Sequence, residues 1–273
     1  MVLRIVGRGA KRVRLIRRCS VTLVLALMAV QLGVGAQNRG VLSGQNVVPV
    51  YEGWQRMPDG VTYMWFGYFN RNFEEIVDIP IGPDNGFDAD VDRGQPTHFL
   101  ARRQRFVFKV PLPSEWPKER RLTWSLAGHG KTERAQGWLQ PEWEMDDGVI
   151  QMNMGPGGAP PDPPNGWPHI SGSASLTART GEAISLTATA TDDGIPKPRR
   201  RGSGRASGLT IRWIQYRGPG QVTFSDPVTT GEYGQPVEAT TRATFSAPGS
   251  YLIRAIASDG LLESPHAISV DVR

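Results

Sequence analysis

The run from residue 244 to 260, Thr-Phe-Ser-Ala-Pro-Gly-Ser-Tyr-Leu-Ile-Arg-Ala-Ile-Ala-Ser-Asp-Gly, restricts the fold more than any other stretch. Pro248 and Gly249 turn the chain. Tyr251, Ile253, Ala255 and Ala257 then alternate with Leu252, Arg254, Ile256 and Ser258, until Asp259 and Gly260 close the run. Apolar alternation at period two between turn residues is the pattern of a half-buried strand. Tyr251 stands two positions before Ile253, the offset of a tyrosine corner in a two-sheet sandwich.

The same period recurs along the C-terminal third. Ile184, Leu186, Ala188 and Ala190 alternate with Ser and Thr and stop at Asp192-Asp193-Gly194. Leu209, Ile211 and Trp213, then Ala239, Thr241, Ala243 and Phe245, then Ile268, Val270 and Val272 supply further inward sets. Upstream, residues 61–70 hold Tyr63, Trp65, Gly67 and Phe69 on one face and Met64, Phe66 and Tyr68 on the other. That predicts a central strand covered on both sides rather than an open aromatic groove. Residues 74–81 read as a strand with Ile76, Ile79 and Ile81 as core candidates, and 102–110 as another. Residues 122–126 and 132–139 flank Ala-Gly-His-Gly-Lys as a hairpin, with Trp124 and Trp138 available to its buried face. No segment has a convincing amphipathic helical period. Residues 155–168, rich in Pro and Gly, have the composition of a semi-extended tether.

The formal charge of +5 comes from the first residues. Seven of the 31 Lys and Arg (Arg4, Arg8, Lys11, Arg12, Arg14, Arg17 and Arg18) and none of the 26 Asp and Glu precede an apolar run, which ends in the small residues Val34, Gly35 and Ala36. This is the pattern of a secretory signal peptide cleaved after Ala36. Without it the chain carries 24 basic against 26 acidic residues, a formal −2, so no basic surface for nucleic acid is expected. No transmembrane span is expected after cleavage, and a secreted or periplasmic location follows. Cys19, the single cysteine, lies inside the signal, which excludes disulfides and thiolate chemistry from the mature chain.

Residues 183–196, Ala-Ile-Ser-Leu-Thr-Ala-Thr-Ala-Thr-Asp-Asp-Gly-Ile-Pro, resemble the PKD/REJ-type immunoglobulin-like modules. So do the later Leu-Thr-Ile-Arg-Trp, Gly-Pro-Gly-Gln-Val-Thr-Phe, Ala-Thr-Phe-Ser-Ala-Pro-Gly-Ser-Tyr and Ala-Ser-Asp-Gly stretches. The likeness spans residues 173–273 and departs at the long basic loop of residues 197–208, with Arg199, Arg200, Arg201 and Arg205. It implies an extracellular sandwich used in adhesion, spacing or binding, without catalysis of its own. The Gly-Tyr-Phe-Asn-Arg-Asn and Asp-Arg-Gly-Gln-Pro-Thr-His-Phe stretches of the N-terminal half are similar to uncharacterised exported bacterial proteins, a likeness that implies no activity. The expected fold is all-β. A signal peptide (1–36) and a flexible lead-in (37–46) precede a β-sandwich-like domain (47–150), a Pro/Gly-rich linker (151–170) and an immunoglobulin-like β-sandwich (171–273).

Candidate chemistry is sparse. The loops after the second and sixth strands of such a sandwich meet at one end, which would gather Asp192, Asp193 and Asp259, with Glu263 beside them. Converging carboxylates repel unless solvent or a cation separates them, so calcium is the metal they would suit, against ordinary Asp-Gly turn chemistry. The loop of residues 82–95, with Asp84, Asp88, Asp90 and Asp92, offers oxygen ligands but lacks EF-hand spacing. The basic loop reads as a solvated surface, with an acidic polysaccharide as the partner it would suit. His98, His129, His169 and His266 are scattered, and no metalloprotease, nucleophile-elbow or phosphate-loop motif occurs. Asp92 and His98 form the one compact acid–base pair, and Glu74-Glu75 and Asp146-Asp147 the adjacent carboxylates. The expectation is a non-catalytic exported binding or structural protein contacting an extracellular or periplasmic protein or polysaccharide, with no cofactor other than calcium. The alternatives are a carbohydrate-binding protein using exposed aromatics among Trp54, Trp65 and Trp116, and a hydrolase centred on Asp92 and His98.

Overall fold

The computed structural model describes residues 41–155, 161–197 and 208–273. The expected signal peptide, the first four residues of the lead-in, part of the linker and Arg199, Arg200, Arg201 and Arg205 lie outside the described residues. From Leu42 onward the chain forms one compact unit. Its strands build two β-sandwiches, each around its own core.

The first sandwich comprises β1 (Val47–Arg56), β2 (Thr62–Asn70), β3 (Val77–Asp78), β4 (Asn85–Phe87), β5 (His98–Phe99), β6 (Arg102–Pro111), β7 (Leu122–Gly128) and β8 (Lys131–Gly137). One antiparallel sheet runs β1-β2-β6, another β4-β7-β8, and β3 pairs with β5. The aromatic segment is the central strand β2. It sends Met64, Phe66 and Tyr68 into the core, where Phe66, Phe87 and Phe108 surround the fully buried Trp124. The β7–β8 hairpin turns at His129 and Gly130, both with positive φ, the conformation that a two-residue turn requires. At Gly67 a Cβ would run into the Glu52 carboxylate and the Gln104 carbonyl, so this central-strand position admits only glycine.

Two features differ from the sequence reading. Residues 74–81 yield only the short β3, and Ile76 is 46% exposed, because that segment loops over Asn70, whose buried amide binds the carbonyls of Glu75 and Phe99. A helix, α1 (Asp147–Met154), follows the first sandwich, started by the Asp146 carboxylate accepting from the Val149 N–H at 2.9 Å. Eight residues are too few to show a helical period, so the capping side chain is the only local signal for it.

The second sandwich contains β9 (His169–Gly172), β10 (Ser175–Ala178), β11 (Ala183–Thr191), β12 (Thr210–Arg217), β13 (Val222–Phe224), β14 (Val228–Thr230), β15 (Val237–Phe245), β16 (Gly249–Ser258) and β17 (Glu263–Val272). A five-stranded sheet, β10-β17-β16-β12-β14, faces a four-stranded one, β13-β15-β11-β9. Leu186, Ile211, Trp213, Phe245, Ile253, Ile268 and Val270 meet between them, as the alternation requires. Tyr251 donates its hydroxyl to the Ala247 carbonyl at 2.8 Å and packs edge-on against Phe245, which makes it a tyrosine corner.

Tyr251→Phe keeps the ring and removes that bond. It is expected to cost about 1 kcal/mol, read as a lower urea midpoint at unchanged slope.

Candidate functional site

The loops after β11 and β16 do meet, and the linker joins them. Asp193 accepts the Gly166 N–H at 2.8 Å, and Asp259 accepts from the Asn165 amide at 2.8 Å. Much of the acceptor capacity is spent on local turns. Asp192 takes the Gly194 N–H, Asp193 takes that of Ile195, and Asp259 takes those of Leu261 and Leu262. Two oxygens are left over: Asp192 Oδ1 and Asn165 Oδ1 are both buried without a partner among the described residues. Asn165 as a whole is only 6% exposed.

The electrostatics follow from this crowding. Burial first, then the Asp259 and Asp193 charges, push the Asp192 carboxyl up to about 6. Asp259 is raised by burial, with Asp193 adding to it. Glu263 is raised by burial against the opposing pull of Arg212, with which it forms a loose 3.6 Å pair. Among the described residues no group of three or more His, Cys, Asp and Glu side chains is placed to hold a metal ion.

The Asp92–His98 pairing is corrected. His98 Nδ1 lies 2.6 Å from Asp78 Oδ1, because the β3–β5 ladder sets Asp78 directly across from His98. Asp92 instead holds Arg217 bidentately at 2.7 and 2.8 Å, and that guanidinium keeps its carboxyl below the usual range. Several of the other acidic candidates are also occupied. Asp88 accepts from Thr123 N, Asp90 pairs with Arg93, and Asp147 accepts from the side chains of Gln55 and Trp167.

The three tryptophans singled out as possible exposed sugar platforms are buried, at 7% for Trp54 and Trp65 and 8% for Trp116. Each spends its indole N–H inside the protein, on Gln140 O, Gln55 Oε1 and Arg120 O respectively. The aromatic surface is elsewhere. Half-buried Trp138, with Arg121 over its ring, borders an open groove of about 730 Å³ shared with Arg56, Lys118, Glu119 and Glu144. Exposed Trp143 stacks on Tyr51. Position on the hairpin predicted burial for Trp138; only the β8 terminus, where pairing stops at Gly137, signals otherwise.

The two sandwiches are joined by buried contacts. Tyr216 donates to Gly94 O, Arg217 Nε to Gln95 O, Thr97 N to Tyr216 O, and Arg254 Nη1 to Val107 O. Trp65, Met145, Ile150 and Leu262 form a third apolar cluster across the joint, and Trp167 stacks on Trp65 with ring planes 7° apart.

No family model and no curated protein matches the chain. Among solved structures, domains 4 and 5 of the S-layer protein SbsC overlay at TM-score 0.27 and 13% identity, covering 55% of this chain and 64% of that one. This chain thus spans somewhat under two thirds of that fragment. The D0-D1 domain of intimin overlays at TM-score 0.26 and 12% identity over 83% of this chain and all of its own. AggA, a fimbrial major subunit from Escherichia coli, gives 0.20 and 11% over 39% and 94%. Overlays this partial transfer no activity and no partner.

The raised Asp192 carboxyl fixes a pH signature. Its folded-state value lies above the unfolded one, so the protonated form favours the fold. That contribution is complete below about pH 4 and gone as pH rises through 6. In EDTA, Asp192→Asn is expected to raise stability at pH 7.5 by roughly 0.5–1 kcal/mol, a value discounted for solvent screening, and to flatten the fall in melting temperature between pH 5 and 7.5. Asp259 and Glu263 leave a residual slope of the same sign.

Proposed function

We propose that the chain is a non-catalytic exported binding or structural protein, whose paired sandwiches hold a surface-contact module at a fixed spacing. The observation that carries this reading is the joint: apolar, aromatic and buried polar contacts dock the two sandwiches, where a flexible tether would have left them independent. Its partner is an extracellular or periplasmic protein or a polysaccharide, and the groove beside Trp138 is where a sugar ring would stack. Among the described residues no helix is long and apolar enough to cross a membrane.

The test uses residues 37–273, presented to envelope fractions and a glycan array and, in parallel, to ester, peptide and glycoside substrates. Saturable retention without turnover is expected. Trp138→Ala should weaken any glycan signal at least tenfold while leaving the melting temperature within a few degrees. Turnover that disappears in His98→Ala would overturn the reading in favour of a hydrolase.

Calcium at Asp192, Asp193 and Asp259 is the metal proposed with this function. The two unpartnered buried oxygens of Asp192 and Asn165 support it, since a hard cation takes oxygen ligands and relieves carboxylate repulsion. Millimolar calcium is expected to raise the melting temperature over EDTA, and Asp259→Asn to abolish the rise. Equal midpoints would leave the cluster as turn chemistry.

A further inference from the structure

Between β5–β6 of the first sandwich and the outer face of β12, β16 and β17 lies a pocket of about 50 Å³, bordered by His98, Phe106, Arg212, Tyr216, Arg254 and Glu263. By the measure in which one water needs about 10–15 Å³, it holds roughly three to five waters, the bulk of an anion with about three to five heavy atoms.

Arg254 is the unusual member. The β12–β16–β17 register flanks it with Ile214 and Ala267, and its guanidinium lies 3.4 Å from the centre of the Tyr216 ring. Nη1 donates to Val107 O, while Nε is shielded from solvent and has no partner among the described residues. Among the described residues no carboxylate stands within ion-pair distance of it. Asp92 is taken by Arg217, and Glu263 leans toward Arg212. Burying a cation without a counter-charge is strongly unfavourable, and burial accordingly pushes the Arg254 guanidinium below its usual range.

We propose that this pocket is an anion site in which Arg254 binds a small monocarboxylate, of formate to propionate size, held between the two sandwiches. A single negative charge neutralises Arg254. Of the other cations on the lining, Arg212 is loosely paired with Glu263 at 3.6 Å and Arg105 donates to the Asn153 carbonyl. A second negative charge would therefore meet the Glu263 carboxylate with no free cation among the described residues to balance it, which favours a monoanion over phosphate or sulfate. Phe106, Ile214 and Ile256 give a short alkyl tail an apolar wall that a halide cannot use. Because residues of both sandwiches line it, the bound anion fastens the joint.

The test is thermal unfolding of residues 37–273 in sodium HEPES, with formate, acetate, propionate, chloride or sulfate added at constant ionic strength. The carboxylates are expected to raise the melting temperature saturably by a few degrees, acetate or propionate most, with chloride and sulfate well below them. Arg254→Met, of similar volume and uncharged, is expected to melt at or above the wild-type temperature without added anion and to lose the response. Arg254→Lys should retain part of it. Saturation-transfer NMR of acetate on the unmodified protein, displaced by propionate, gives a readout that does not depend on any variant folding. No carboxylate response and no saturation transfer, a chloride response equal to or above that of acetate, or a response that persists in Arg254→Met, each overturns the proposal.

Discussion

Strand β16 has one face buried in the second core and the other covered by the first sandwich at Arg254 and Ile256, and the architecture depends on that. Its inward set, Tyr251, Ile253, Ala255 and Ala257, closes the second core. Its outward set carries Arg254 and Ile256 to the first sandwich. A strand of a solvated sheet needs polar residues on one side; this one instead presents an arginine stem and an isoleucine to a second apolar body. The joint is therefore built into a core strand, and separating the sandwiches would expose surface on an element that the second sandwich cannot do without.

The inner faces were legible because alternation is a local signal. Leu186, Ala188 and Ala190 on β11, Ile211 and Trp213 on β12, and Ile268, Val270 and Val272 on β17 all point where period two sends them. The tyrosine corner and the His129-Gly130 hairpin were equally local. What alternation does not reveal is the partner of an outward residue. Arg217 finds Asp92 and the Gln95 carbonyl more than 120 positions away, and nothing near either residue encodes that pairing. Trp65 was legible as a buried residue, but not as one that stacks on Trp167 from the linker.

The candidate site divides the same way. Convergence of Asp192, Asp193 and Asp259 followed from sandwich topology, since two loops at one end must meet. Asn165 was invisible, because it lies in a segment whose Pro and Gly content describes a tether, although Asn165, Gly166 and Trp167 pin it to both sandwiches. Asp92 and His98 lie six positions apart in sequence but are separated by a two-residue ladder that gives His98 to Asp78. Asp146 and Asp147 looked like paired carboxylates and proved to be a helix cap and an acceptor for two side chains. In each case a polar residue was claimed by the nearest unsatisfied donor, and a sequence alone does not show which donor that is.

Charge is arranged along β16 and β17 in a way that neither core requires. At one end three aspartates crowd together with more negative charge than the local donors neutralise. Midway along the outer face sits Arg254, with positive charge and, among the described residues, no acid to meet it. The two excesses do not cancel, because Glu263 and Arg212 stand between them as a loose pair, Glu263 feeling Arg212 on one side and Asp259 on the other. A chain selected only for stability would be expected to place an apolar side chain at position 254 or an acid beside it, since either removes the cost of a buried unpaired charge. Both excesses lie on or beside the strands that carry the joint, the negative one at the end loops and the positive one on the outer face, which is why a cation is proposed for the first and an anion for the second.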